Sequence, residues 1–229
     1  MFGFRFSVRS ATTLLTAAVV LTAATSLQAQ SARRVRRETN ANRKARIERN
    51  IQDTYSHKWE VAGGGGYLRF RSGENLQKNN EVTFFLSSTY FMSPKFGIVG
   101  QVSGAYGHAK VGNNIYNIAN PQISQYYFNA GPAYRVYAKE KYSATVFGTV
   151  GAGIGKFDSG SKGIPAANLG LWDSQTRTVF SAGVNLDYNF YPNLAFRVTP
   201  TYLGSTFGGT IQNNIGVNVG VVYRFGRIK

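Results

Sequence analysis

From Asn214 to Gly226 the chain alternates between two kinds of residue. Ile215, Val217, Val219, Val221, Tyr223 and Phe225 fall on one side, and Asn214, Gly216, Asn218, Gly220, Val222, Arg224 and Gly226 on the other. Successive side chains of a β-strand point to opposite faces, so this segment has one apolar face and one small or polar face. The same period of two recurs upstream. Tyr142, Ala144, Val146, Val150, Ala152 and Ile154 oppose Thr145, Thr149, Gly151 and Gly153. Phe180, Ala182, Val184, Leu186, Tyr188 and Phe190 oppose Arg177, Ser181, Gly183, Asn185, Asp187 and Asn189. Leu194, Phe196, Val198 and Tyr202 oppose Arg197, Thr199 and Thr201. The pattern is poorer near the start. Phe85 and Phe91 fall on the nominally polar face of their segment, and Gly63–Gly66 interrupts the first one.

These patterns predict eight strands, at Trp59–Phe70, Val82–Met92, Phe96–Tyr106, Gln125–Ala138, Tyr142–Lys156, Thr176–Phe190, Leu194–Ser205 and Asn214–Phe225. Each is at least as long as the ~9–11 residues a tilted membrane-crossing strand needs. The connections alternate in length. Ser93-Pro94-Lys95, Lys139-Glu140-Lys141 and Tyr191-Pro192-Asn193 are tight turns. Arg71–Glu81, Gly107–Ser124, Phe157–Gln175 and Thr206–Asn213 are longer and polar. An even strand count with short turns on one side and long loops on the other is the sidedness of an outer-membrane barrel, and a soluble sandwich has no reason to sort its loops this way. Pro132 and Pro200 stand against this reading, because each lacks a ladder donor; a bulge at each is expected.

The segment from Trp59 onward resembles the small eight-stranded outer-membrane β-barrel family, the architecture of the OmpA transmembrane domain and of OmpX-like proteins. Val219, Val221, Tyr223 and Phe225 carry the most specific part of that resemblance. They are similar to the C-terminal signal by which the barrel-assembly machinery recognises such chains. The resemblance implies an all-β, eight-stranded, antiparallel up-and-down transmembrane barrel in the outer membrane of a Gram-negative-type bacterium. Its lipid would be one partner, the assembly machinery a second, and an extracellular ligand on the four long loops a third.

Composition adds two features. Arg5 and Arg9, the apolar Ala11–Ala24 stretch and Leu27-Gln28-Ala29 read as a signal peptide over 1–29. Residues 30–58 read as a basic periplasmic extension: Ser31–Lys58 holds nine Lys/Arg against three Asp/Glu, and Ile47, Ile51 and Tyr55 form a narrow helical stripe. Within the net charge of +16 this is a local excess, and export makes a nucleic-acid partner unsuitable for it. The barrel is then 59–229, and its stability uses no disulfide, since the chain has no cysteine.

Candidate chemistry is sparse. His57 and His108 are the only histidines, which with the lack of cysteine excludes a His/Cys zinc site. Gly151-Ala152-Gly153-Ile154-Gly155 lacks the spacing and the following helix of a dinucleotide loop. Ser103 and His108 differ by an odd number and face opposite sides of a regular strand, so they do not make a hydrolase pair. No cofactor and no enzyme activity are expected. Five charges instead point inward: Glu60, Arg135, Asp187, Arg197 and Arg224, all near a short turn or a chain end. A charge inside a narrow lumen must be paired or hydrated, so an ion-pair network is expected at the periplasmic end. Arg224 is placed to reach Glu60 and Arg197 to reach Asp187, with Arg135 crossing the lumen. The functional expectation is a non-enzymatic structural or surface-interaction protein; the alternatives are a small porin and, behind it, a lipid A-modifying enzyme.

Overall fold

The computed structural model describes residues 39–112, 114–118 and 120–228. The predicted signal peptide lies outside them. Helix α1 (Asn40–Tyr55) precedes eight strands: β1 (Trp59–Arg71), β2 (Lys78–Phe91), β3 (Phe96–His108), β4 (Gln122–Ala138), β5 (Tyr142–Ser159), β6 (Gln175–Tyr191), β7 (Leu194–Ser205) and β8 (Gln212–Phe225). Every strand pairs antiparallel with its sequence neighbour, and β1 pairs with β8, so the sheet closes on itself. Closure removes the free edges that would otherwise expose unpaired backbone groups to lipid.

The alternation sets the two faces. On β8, Ile215, Val217, Val219, Val221, Tyr223 and Phe225 are exposed, while Asn214, Gly216, Gly220, Val222 and Arg224 are buried inside. Trp59, Tyr90, Tyr134, Tyr142, Tyr188, Phe196 and Phe225 ring the short-turn end of the outer face, with aliphatic side chains beyond them. The outer face is therefore apolar where water would penalise it, and lipid is the solvent that fits it. Among the described residues no helix is long and apolar enough to cross a membrane.

Strands β2, β4 and β5 run further at the long-loop end than the hydrophobic pattern predicted. Polar residues such as Asn79, Asn80 and Gln122 keep the ladder going, because backbone pairing does not need lipid beyond it. The two poorly patterned strands have a common cause. Phe85 and Phe91 point into the lumen, where both are buried. Phe85 takes the space beside Gly220, where an added Cβ would lie 2.9 Å from its ring. At Gly64 an added Cβ would sit 2.0 Å from the Val219 carbonyl oxygen, so β1 gives up alternation to let β8 approach.

Neither proline sits at a bulge. The β4–β5 ladder stops at Ala130↔Val150 and resumes at Ala133↔Phe147 in the same register, skipping Pro132. The β6–β7 ladder likewise runs from Gly183↔Thr201 to Leu186↔Val198 and skips Pro200. Each proline keeps its place against the other neighbour, Ile98 or Val217. The missing donor thus opens one side of one ladder locally and shifts nothing. The register shifts that do occur lie at Gln122/Ser124, Arg135/Tyr137 and Asn189/Tyr191, close to strand ends.

The lumen closed at both ends

At the short-turn end of the lumen, five charged side chains meet. Glu60, Arg135, Asp187, Arg197 and Arg224 are at most 4% exposed. Neighbouring strands bring four of them together, since Glu60 pairs with Arg224 across β1–β8 and Asp187 with Arg197 across β6–β7. Arg197 Nε donates to Asp187 Oδ1 at 2.7 Å and its Nη2 donates to Glu60 Oε2 at 2.9 Å. Arg224 Nε donates to Glu60 Oε1 at 2.8 Å and Nη2 to Asp187 Oδ2 at 2.9 Å. Arg135 crosses from β4, and its Nη2 lies 2.5 Å from Glu60 Oε1. Glu60 thereby serves three guanidinium groups and Asp187 two.

Three cations against two anions leave one positive charge in surplus. The surroundings of Arg135 absorb it. Its Nη1 donates to the Pro94 carbonyl at 2.7 Å, and its guanidinium carbon lies 4.1 Å from the Phe91 ring centroid and 4.7 Å from that of Tyr55. Aromatic faces carry negative charge density, so these rings stabilise a guanidinium whose carboxylate, Glu60, is shared with two other arginines. Arg224 Nη1 adds a bond of 2.8 Å to Asn189 Oδ1.

Tyr55 belongs to the segment that sequence reasoning separated from the barrel. It is buried, as is Thr54. The Tyr55 hydroxyl donates to the Lys139 carbonyl at 2.6 Å and accepts from Asn189 Nδ2 at 3.0 Å. Asn50 Nδ2 donates to Glu140 Oε1 at 2.8 Å. The stripe of Ile51 and Tyr55 was legible, but nothing in it distinguished a stripe facing lipid from one ending over a turn. The tail after β8 joins in: Ile228 N donates to the Ser56 carbonyl at 2.8 Å. A chain starting at Trp59 should still refold in detergent, but with about 1–3 kcal/mol less stability, from the lost hydrogen bonds and cation–π contact. Denaturant titration of the full and shortened barrels measures this, and equal midpoints would show the docked helix end to be energetically idle.

At the long-loop end the closure is apolar. Phe70, Ile123, Phe157, Val179 and Phe207 are wholly buried with Leu68, Ala109, Ile118, Leu169, Leu171 and Leu203 in one cluster. Loop residues supply six of its fourteen buried side chains because local turns aim them inward. Asn114 holds one such turn, accepting from the backbone N–H groups of Tyr116 and Ile118 and donating to the Ile118 carbonyl. The 3-10 turn Ala166–Leu169 ends on Gly170 at φ 71°, which lets Leu171 turn back to the cluster. The long loops are therefore folded over the barrel mouth and are exposed only in part. Ile115 is 89% exposed, while Ala109 and Ile118 nearby are buried. Proteolysis of intact cells should accordingly cut near Ile115 and spare the Pro94, Glu140 and Pro192 turns. Cleavage confined to those turns would invert the topology.

Between the two closures the lumen holds a cavity of about 40 Å³ with a mixed lining, polar at Thr83, Gln101, Asn129 and Asn218 and apolar at Leu68 and Leu203. A second space of about 10 Å³ lies beside Phe85 and Phe147. The first has room for a few water molecules at ~10–15 Å³ each. Ser103 lines it, whereas His108 is exposed at the end of β3. Among the described residues no three His, Cys, Asp or Glu side chains are grouped to hold a metal.

No protein-family model and no curated relative matches the chain. Solved structures do. Ail, the attachment invasion locus protein of Yersinia pestis, aligns over 74% of this chain and 99% of its own at 21% identity, with a TM-score of 0.50. Neisserial surface protein A covers 73% of this chain and 97% of its own at 12% identity, with a TM-score of 0.52. OprG of Pseudomonas aeruginosa covers 75% and 98% at 12% identity, also with a TM-score of 0.52. The chain has the fold of the small eight-stranded outer-membrane β-barrels. At these identities the likeness is one of fold, and the apolar outer face places the barrel in lipid. The lumen contacts described above belong to this chain's own residues.

Proposed function

We propose that this barrel is a non-conducting, non-enzymatic outer-membrane protein whose role is structural or one of surface interaction, carried by the loops over its outer mouth. The observation that supports this is the double closure of the lumen, ionic at the periplasmic end and apolar at the other, around a cavity of about 40 Å³. Ions cross low-dielectric barriers poorly, and an eight-stranded interior is narrow enough for side chains to fill. Val219, Val221, Tyr223 and Phe225 stand on the exposed face of β8, which suits a signal read by the assembly machinery before the barrel closes. The basic extension and the outer loops remain the surfaces for partners on either side.

Planar-bilayer recording tests the reading. The refolded full-length protein should show no steady conductance at moderate voltage. A persistent open state in the unmodified barrel would replace this reading with that of a small porin.

A further inference from the structure

Near the outer mouth the lumen contains one more acid. Glu81, on β2, is 1% exposed. Its Oε1 accepts from Gln125 Nε2 at 3.1 Å, and the Tyr127 hydroxyl in turn donates to Gln125 Oε1. Its other oxygen, Oε2, is buried with no partner among the described residues. The space around it is tight, for a Cβ added at Gly107 would lie 2.7 Å from Glu81 Cγ. Leu68 and Gly107 flank it in register on β1 and β3. The apolar cluster of the lid, which includes Leu68 and Tyr127, covers this end of the lumen.

The charges nearby do not neutralise it. Tyr127, from β4, is the only other ionisable side chain buried at this end among the described residues. On β1 and β2, Arg71 and Lys78 alternate onto the outer face. From β3 and the loop after it, His108 and Lys110 are exposed, and Lys110 approaches only through its backbone N–H, which donates to Asn79 Oδ1 at 3.2 Å. Lys156 and Asp158 of β5 and Arg177 of β6 are exposed too. The arginines of the periplasmic network, on β4, β7 and β8, lie at the opposite end of the barrel.

A buried carboxylate with no cation beside it is strongly disfavoured, whereas a neutral carboxyl is not. A metal ion would need several oxygen ligands, but the side-chain oxygens beside Glu81 are engaged: Ser72 Oγ and Asn79 Oδ1 accept bonds, as does Gln125 Oε1. One free oxygen suits a proton.

We propose that Glu81 is a proton-binding site that latches the outer lid. With its proton on, the carboxyl is neutral and the apolar cluster closes over it. When the proton leaves, the charge must gain water. The loops over it, folded by local turns and an apolar cluster, are the part of the barrel able to move and admit that water. Rising pH therefore loosens the lid, falling pH closes it, and the barrel wall stays intact. The proposal goes beyond the closed-lumen reading, because it concerns the outer closure alone and stands whether or not the periplasmic network conducts.

Trp172 reports on the lid, where its ring lies against Gly208 and its Nε1 donates to the Arg71 carbonyl at 3.2 Å. The chain has two tryptophans, so Trp59→Phe leaves Trp172 as the single probe. In that background, Trp172 emission and acrylamide quenching would be followed in detergent from about pH 5 to about pH 10, a range spanning shifted carboxyl groups. Quenching should rise about twofold or more as the pH rises, as expected when a local segment opens. Glu81→Gln should abolish the pH response, and Tyr127→Phe should retain it. Should Glu81→Gln fail to refold, Glu81→Leu tests the same loss of the acid. A flat profile in the parent overturns the proposal. So does a response that survives the loss of Glu81, or one that vanishes with the Tyr127 hydroxyl alone. Loss of folded-barrel gel mobility over the same pH range would mean global unfolding and would also overturn it.

Discussion

Glu60→Ala should lower the unfolding free energy of the refolded barrel by about 3–5 kcal/mol, the range for removing one partner of a buried ion pair. Glu60 accepts from Arg135, Arg197 and Arg224, so its removal leaves three guanidinium groups around Asp187 alone. Asp187→Ala should cost less, because Glu60 still reaches all three arginines. Replacing the whole network by apolar residues of similar volume should be far milder than either single change, since burial of the charges is itself expensive. Urea titration followed by folded-barrel gel mobility measures all three. If Glu60→Ala and Asp187→Ala leave the midpoint unchanged, the network does not hold the short-turn end together. Bilayer recording of these variants beside the unmodified barrel shows whether the lost charge also opens a conductance.

Val219→Arg should destabilise the barrel by about 2–4 kcal/mol, the cost of a cation on the lipid face at the bilayer midplane. Val219 is exposed on the outer face near the middle of β8, opposite Val198 and Gly65. The same change nearer the membrane surface should cost less, because the cation can reach headgroups and water. Asn218→Ser, one residue away in the lumen, should not follow that depth rule. Spin labels at Val146, Val184, Val198 and Val219 provide an independent check. Free access of water-soluble relaxants to these labels in the folded state would overturn the lipid-facing assignment.

Much of this architecture was legible in the order of residues. A strand has a side-chain period of two, so alternation alone assigns Val217, Val219 and Val221 outward and Asn218, Gly220 and Arg224 inward. Turn chemistry was equally direct, for Ser93-Pro94-Lys95 folds with Phe96 N donating to Ser93 Oγ at 3.0 Å. The five inward charges could be named because a charge on the small-residue face of such a strand has nowhere else to point. Adjacent-strand pairing also suggested which acid each arginine reaches.

Other features depended on side chains distant in sequence. Phe85 and Phe91 fill a lumen whose width no local window reports, and the glycines of β1 answer to the backbone of β8, over a hundred residues away. The Tyr55–Arg135 contact joins a helix end to a strand that periodicity treats as unrelated. The outer lid gathers Phe70, Ile123, Phe157 and Phe207 from four segments. Apolar residues in polar loops carry no period by which to foresee their burial. Glu81 illustrates the division. The hydrophobic pattern starts the second strand at Val82 and leaves Glu81 in a loop; its place in the ladder opposite Leu68 and Gly107, its inward direction and the lack of a cation beside it among the described residues depend on what closure brings to that end of the lumen. Local backbone geometry sets direction, and only closure of the sheet sets neighbours.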